Sequence, residues 1–111
     1  MSSLEFYEKL VETIPEIERK GAANPYTSVN GHMFSHLTPA GTFALRLPKE
    51  ELEKFLTKYK TTLFESYGVV KKEWVVVPAS LLKDTKTLRG YFRLSYEFVK
   101  TLKPKPTTKK G

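Results

Sequence analysis

Cysteine is absent from this chain of 111 residues. Its absence excludes disulfide bonds, a thiolate nucleophile and the zinc or iron–sulfur sites that cysteine builds. Long apolar runs are missing too, because the longest, residues 74–77, is far shorter than the roughly 20 residues that span a bilayer. Glutamates interrupt the apolar positions of residues 4–18, which is unlike a secretory signal. The sequence therefore predicts a cytoplasmic protein that does not enter a membrane.

Catalytic and metal-binding motifs are scarce as well. The two histidines, His32 and His36, are expected on one face of a strand, about 13 Å apart and too distant to share a metal ion. Neither a phosphate-binding glycine loop nor a serine elbow is present. The sequence predicts no catalytic residue, no cofactor and no metal site, and therefore a non-enzymatic protein. An enzyme or a ligand-binding domain would need a pocket that the sequence does not reveal.

Basic side chains are concentrated toward the C-terminal end of the chain, whose net charge is +7. Residues 71–100 carry seven basic and three acidic side chains, and residues 101–111 add four lysines and no acid. A basic surface attracts nucleic acid or an acidic protein, and it can also serve solubility alone. The residues predicted to bind a partner or nucleic acid are Lys71, Lys72, Lys86, Arg89, Arg93 and Lys100.

Three segments repeat apolar residues at intervals of three and four, which is typical of amphipathic helices. They are residues 4–14, 49–60 and 85–102, and residues 79–82 add a single helical turn. Ser2 and Glu5 have capping-box spacing before the first helix, and Asp84 is suited to cap the last one. Gly90 inside the last helix costs roughly 1 kcal/mol relative to alanine, which indicates either close packing or a tolerated defect.

Shorter segments predict strands at residues 26–29, 32–37, 42–47 and 74–77. Residues 63–70 are ambiguous and fit a strand interrupted at Gly68. The dipeptide Asn30-Gly31 tolerates the positive φ angles of a type I′ turn and therefore predicts a hairpin. Trp74 begins an apolar strand, so we expect it in the core rather than on a binding surface.

Together these segments predict an α+β fold: an antiparallel sheet of four to five strands with N-terminal, middle and C-terminal helices packed on it. Residues 1–102 are expected to form a single domain, because a chain of this length supports one core without disulfides or metal. Residues 103–111, rich in lysine and proline, are predicted to form a disordered basic tail.

Several short motifs follow one another in a recognisable order. They are Arg19-Lys20 after the first helix, Met33-Phe34 after the Asn30-Gly31 turn, the run from Trp74 to Pro78, and Leu81-Leu82 before Asp84. This order resembles the N-terminal domain of TfoX/Sxy proteins over residues 3–102, and YjbR-like proteins are similar in the same way. One motif differs, because residues 21–24 read Gly-Ala-Ala-Asn where the TfoX family carries Met-Phe-Gly-Gly.

The resemblance implies a non-enzymatic interaction or regulatory domain, in a bacterial family linked to natural competence. It implies an unidentified protein partner and supplies no catalytic residue to carry over. The alternative is a weak, sequence-independent nucleic-acid binder that uses the basic C-terminal third and depends steeply on salt. Neither hypothesis involves a cofactor or a membrane.

Overall fold

The computed structural model describes residues 2–21, 24–66 and 68–103. The elements are α1 Ser3–Glu12, β1 Tyr26–Val29, β2 His32–Leu37, β3 Phe43–Arg46, α2 Lys49–Tyr59, β4 Leu63–Ser66, β5 Val69–Val77, α3 Ala79–Leu82 and α4 Thr85–Lys100. The predicted α+β fold is confirmed. The predicted tail lies outside the described residues from Pro104 onward.

The strands form one antiparallel sheet with the order β1-β2-β3-β5-β4. The ambiguous segment 63–70 contains β4, a turn at Gly68 and the start of β5. Gly68 has φ +76°, a left-handed conformation that suits glycine at a turn. β5 begins at Val69, five residues before the predicted start at Trp74. The hairpin of β4 and β5 therefore joins the sheet through β5, which pairs with β3.

Local hydrogen bonds fix the starts of α1 and α4 as the sequence predicts. Glu5 accepts from the Ser2 amide at 2.7 Å, and Ser2 Oγ accepts from the Glu5 amide at 3.2 Å. The bond from the Ser2 backbone is the main reason why the Glu5 pKa is lowered, because it stabilises the carboxylate. At α4, the Asp84 carboxylate accepts from the Thr87 amide at 3.2 Å. Each bond satisfies an amide that has no partner within its helix.

The helices pack on one face of the sheet and enclose an apolar core. In α4, Leu88, Phe92 and Val99 are completely buried. Tyr7 of α1 meets Phe43 of β3 edge to face, with ring centroids 5.3 Å apart. Burial of one such side chain contributes roughly 1.5–3 kcal/mol, so this face supplies most of the driving force for folding.

Buried hydroxyl groups bind the helices to the sheet. Ser35 Oγ lies 2.8 Å from the Tyr7 hydroxyl and 2.5 Å from Thr27 Oγ1, and all three residues are 0% exposed. Burial raises the pKa of Tyr7 to about 12, so its phenol stays neutral at pH 7. In α4, the buried Ser95 hydroxyl donates to the carbonyl of Arg46 in β3. These bonds satisfy polar groups that water cannot reach.

A β-bulge interrupts the pairing of β1 with β2. Thr27 lies opposite Ser35, whereas Ser28 lies opposite Met33, so Phe34 has no cross-strand partner. Phe34 and Ser35 are consecutive and both buried. The extra residue breaks the strict alternation of faces along the strand. His32 and His36, which the sequence predicts on one face, both line one groove of the sheet, and the Nε2 atom of His32 lies 2.9 Å from the Lys103 carbonyl beside the end of α4.

Candidate nucleic-acid interface

The sheet has a second face, opposite the packed helices, and we call it the open face. In β3, Phe43 and Leu45 belong to the core, so Ala44 and Arg46 point to the open face by alternation. His36 lies directly opposite Ala44, and Trp74 lies directly opposite Arg46. Side chains of directly opposite residues share a face. The open face therefore displays His36, Arg46 and Trp74 next to one another.

Three aromatic side chains meet on the open face, and we call them the aromatic cluster: His36, Phe64 and Trp74. The His36 ring centroid lies 4.9 Å from that of Phe64 and 5.2 Å from that of Trp74. Ala44 lies at this part of the face and is 0% exposed. The small side chain of Ala44 leaves room for the larger rings to approach one another over β3.

The sheet curls toward the aromatic cluster. His36 is in β2 and Phe64 is in β4, and two other strands lie between them in the sheet order. Three strand spacings of about 4.8 Å would keep these rings well apart in a flat sheet. Their contact therefore requires strong curvature, which makes the open face concave.

The concave face holds a groove of about 490 Å³. Besides the aromatic cluster, the groove is lined by Gly31, His32, Met33, Arg46, Ser66 and Lys71. Met33 is 41% exposed and adds an apolar surface at one side. The groove thus combines flat rings with two cationic side chains.

The two cations of the groove differ in how they are held. Arg46 is fixed by Glu73, whose Oε1 lies 2.7 Å from Arg46 Nε and 2.5 Å from Nη2. Within residues 2–21, 24–66 and 68–103, no ion pair involves Lys71, which is exposed. Lys71 can therefore give its charge to a ligand without breaking an ion pair with a described residue.

His36 contributes a ring rather than a charge at neutral pH. Burial lowers its pKa below the ordinary value of 6.5, because desolvation disfavours the imidazolium. A neutral imidazole can stack on a flat ligand, and it can donate one hydrogen bond and accept another. The positive charge of the groove comes from Arg46 and Lys71 instead.

The six cations predicted from the sequence do not form one surface. Only Lys71 lines the open-face groove, whereas Lys72 lines a second groove beside α2 and a shallow depression next to Lys71 and Trp74. The other four, Lys86, Arg89, Arg93 and Lys100, belong to α4, which packs on the opposite face of the sheet.

Three of the α4 cations are engaged within the protein. Arg93 Nη2 lies 3.6 Å from a carboxylate oxygen of Glu16 and 3.6 Å from one of Glu97. Arg89 Nε donates to the Thr13 carbonyl at 3.4 Å, and Lys100 Nζ lies 5.5 Å from the Tyr96 ring centroid. The α4 face therefore offers a ligand less positive charge than its sequence indicates.

Sequence reasoning missed most of the groove. The expectation that Trp74 lies in the core is wrong, because Val75 and Val77 occupy the core and Trp74 lies half-buried on the open face. Arg46 alternates with buried Leu45 and Leu47, so its position could have been inferred from the period of two. The position of Phe64 in the groove could not have been inferred in this way, because its contact with His36 depends on the curvature of the whole sheet.

The part of the chain that the structure describes contains no group of three or more histidine, aspartate or glutamate side chains placed to hold a metal ion. None of its helices combines the length and hydropathy that a membrane span requires. No protein-family model, no curated protein and no solved structure matches this chain. The resemblance to TfoX/Sxy and YjbR-like proteins therefore stays a prediction from the sequence.

Proposed function

We propose that this chain is a non-enzymatic binding domain whose open face binds single-stranded nucleic acid. One observation carries the proposal: the rings of His36, Phe64 and Trp74 meet within 4.9 and 5.2 Å on a concave sheet face. Lys71 and Arg46 line the same groove. Proteins that bind single strands combine these two features, a positively charged groove and aromatic rings on which bases stack.

The aromatic cluster favours single strands over duplexes. A base can stack on a protein ring only when it has left its own helical stack, as bases in single strands readily do. Stacking contributes roughly 1–3 kcal/mol per base when measured by alanine substitution. Stacking distinguishes bases poorly, since every base has a flat face, so we propose binding without sequence preference.

The charge of the chain supports the same proposal. The net charge of +7 attracts a polyanion from solution, and Lys71 provides an exposed ammonium group at the groove. Binding that neutralises phosphates releases counterions, so the affinity falls as the salt concentration rises. The proposal moves the interface from the basic face of α4 to the open face.

The regulatory role and the cytoplasmic location that the sequence predicts are compatible with this proposal. Both rest on the motif resemblance and the composition, and a single-strand binder can serve as a regulatory protein. We retain them as parts of the proposal and not as separate functions.

Two lysine variants test where nucleic acid binds. Lys71→Ala and Lys86→Ala each remove one exposed lysine and change the net charge equally, but they lie on opposite faces of the protein. Fluorescence anisotropy of labelled oligo-dT and oligo-U should give a weaker affinity for Lys71→Ala. Loss of one phosphate contact should also reduce the slope of log affinity against log salt by about 1.

The Lys86→Ala variant should bind almost as the unmodified chain does. An equal loss of affinity in both variants would mean that net charge alone drives association. No detectable binding of either oligonucleotide at low salt would contradict the proposed function itself.

A further inference from the structure

The two edges of the sheet differ in how their backbone groups are covered. At the β1 edge, Lys20 and Tyr26 exchange backbone hydrogen bonds of 2.8 and 2.9 Å, so part of that edge is already paired. At the β4 edge, no described strand pairs with the outer side of β4. An uncovered edge strand presents amide and carbonyl groups that can pair with another chain.

An apolar surface lies beside the β4 edge. A groove of about 560 Å³ runs between α2 and the hairpin of β4 and β5, and we call it the α2 groove. Its apolar lining consists of Leu52, Leu56, Leu63 and Val70. Val70 is 48% exposed and its neighbour Val69 is 56% exposed. Apolar side chains concentrated beside a free strand edge favour a contact with protein.

The charges around the α2 groove favour a second copy of this chain as the occupant. Two cations, Lys49 and Lys72, and two carboxylates, Glu53 and Glu73, line the groove. The surface is thus mixed in sign although the whole chain carries +7, and Glu73 additionally pairs with Arg46. A second copy therefore meets less electrostatic repulsion here than at the basic face of α4. A surface with equal numbers of both signs can also be complementary to itself, as a two-fold interface requires.

We propose that two copies of this chain associate through the β4 edge and the α2 groove. A two-fold axis perpendicular to β4 would pair the two β4 strands antiparallel and join both sheets into one. Val70 would then lie one strand inside the seam, where the partner's β4 and α2, and not the partner's Val70, would cover it. No side chain that lines the α2 groove also lines the open-face groove, although the Arg46–Glu73 ion pair connects the two surfaces. Association of two copies does not require nucleic acid, so the proposal stands apart from the proposed function.

Sedimentation velocity of the full chain, without nucleic acid, tests this proposal over a range of low to high micromolar concentrations. The chain should shift from monomer to dimer as its concentration rises. Val70→Lys should weaken the dimer, because it places a charge in the apolar lining of the α2 groove beside the seam. Leu4→Lys is the matched control, since Leu4 is an exposed apolar residue on α1 (38% exposed) and the charge change is the same.

A charge exchange keeps the test decisive if Val70→Lys fails to fold. Glu53→Lys, on the exposed surface of α2, leaves three cations against one carboxylate at the groove and should weaken the dimer. Adding Lys72→Glu restores equal numbers of both signs and should restore the dimer. A chain that remains monomeric at every concentration would overturn the proposal. So would a dimer that persists unchanged in both Val70→Lys and Glu53→Lys.

Discussion

The rings of His36 and Phe64 lie 4.9 Å apart although β3 and β5 separate their strands in the sheet. This contact exists because the sheet curls toward its open face. Curvature gathers side chains from three strands into one cluster without help from a loop. Phe64 is buried (8% exposed) and supports the partly exposed rings of His36 and Trp74 from below. A ligand that stacks on His36 or Trp74 would find these rings already in place, which reduces the entropy lost on binding.

Histidine protonation should weaken the fold at acidic pH. Burial lowers the His36 pKa below 6.5, so the folded state binds fewer protons than the unfolded state in this range. The stabilisation is complete above about pH 6.5 and is lost as the pH falls toward the folded-state pKa. In urea unfolding, His36→Phe should lose less stability than the unmodified chain between about pH 7 and pH 5. Parallel losses in the two proteins would show that His36 has the same pKa folded and unfolded.

The buried hydroxyl chain should make Tyr7→Phe destabilising. The variant removes the phenol that bonds Ser35 and should lower the free energy of unfolding by about 1 kcal/mol at pH 7. The Tyr7 pKa is raised from 10.0 to about 12, so folding favours the neutral phenol. Its contribution is complete below about pH 10 and is lost as the pH rises toward about 12.

The difference in stability between the unmodified chain and Tyr7→Phe should therefore shrink above pH 10.0. Chemical unfolding of both proteins at neutral and alkaline pH measures this difference. A difference that grows with pH would contradict the raised pKa, and no difference at pH 7 would mean that the hydroxyl chain contributes nothing to stability.

Replacing Gly90 or Gly68 by alanine should change the stability of the protein in opposite directions, although both glycines lie in open surroundings. Gly90 is exposed in α4, and a methyl group added there meets no other atom within 4 Å, so Gly90→Ala should stabilise by about 1 kcal/mol. Gly68 is equally open but has φ +76°, so Gly68→Ala should destabilise by about 1 kcal/mol. Equilibrium unfolding of both variants checks the signs. Destabilisation by Gly90→Ala would indicate that α4 packs more closely at this position.

The elements were predictable where one local signal dominated. The apolar stripe of α4 and the Asn30-Gly31 turn, with φ 55° and 80°, both agree with the sequence. The start of β5 was missed because Lys71, Lys72 and Glu73 are polar residues that are depleted in strands. These residues form a strand because β4 pairs with them, and the composition of residues 71–73 alone does not reveal that pairing.

The candidate site was less predictable than the fold. Of the six predicted cations only Lys71 lines the groove, since charge counts do not reveal which face of the sheet a residue occupies. The bulge at Phe34 also changes which residues of β2 share a face. A single inserted residue of this kind has no clear signature in one sequence.

Titration of the Trp74 fluorescence with unlabelled oligo-dT tests the central claim most directly, because Trp74 is the chain's single tryptophan and lies in the groove. Free N-acetyl-tryptophanamide, titrated in parallel, corrects for light absorbed by the oligonucleotide. We predict saturable quenching that added salt reverses and that Lys71→Ala weakens. Binding detected by anisotropy without any change in Trp74 emission would place nucleic acid elsewhere on the protein and contradict the account.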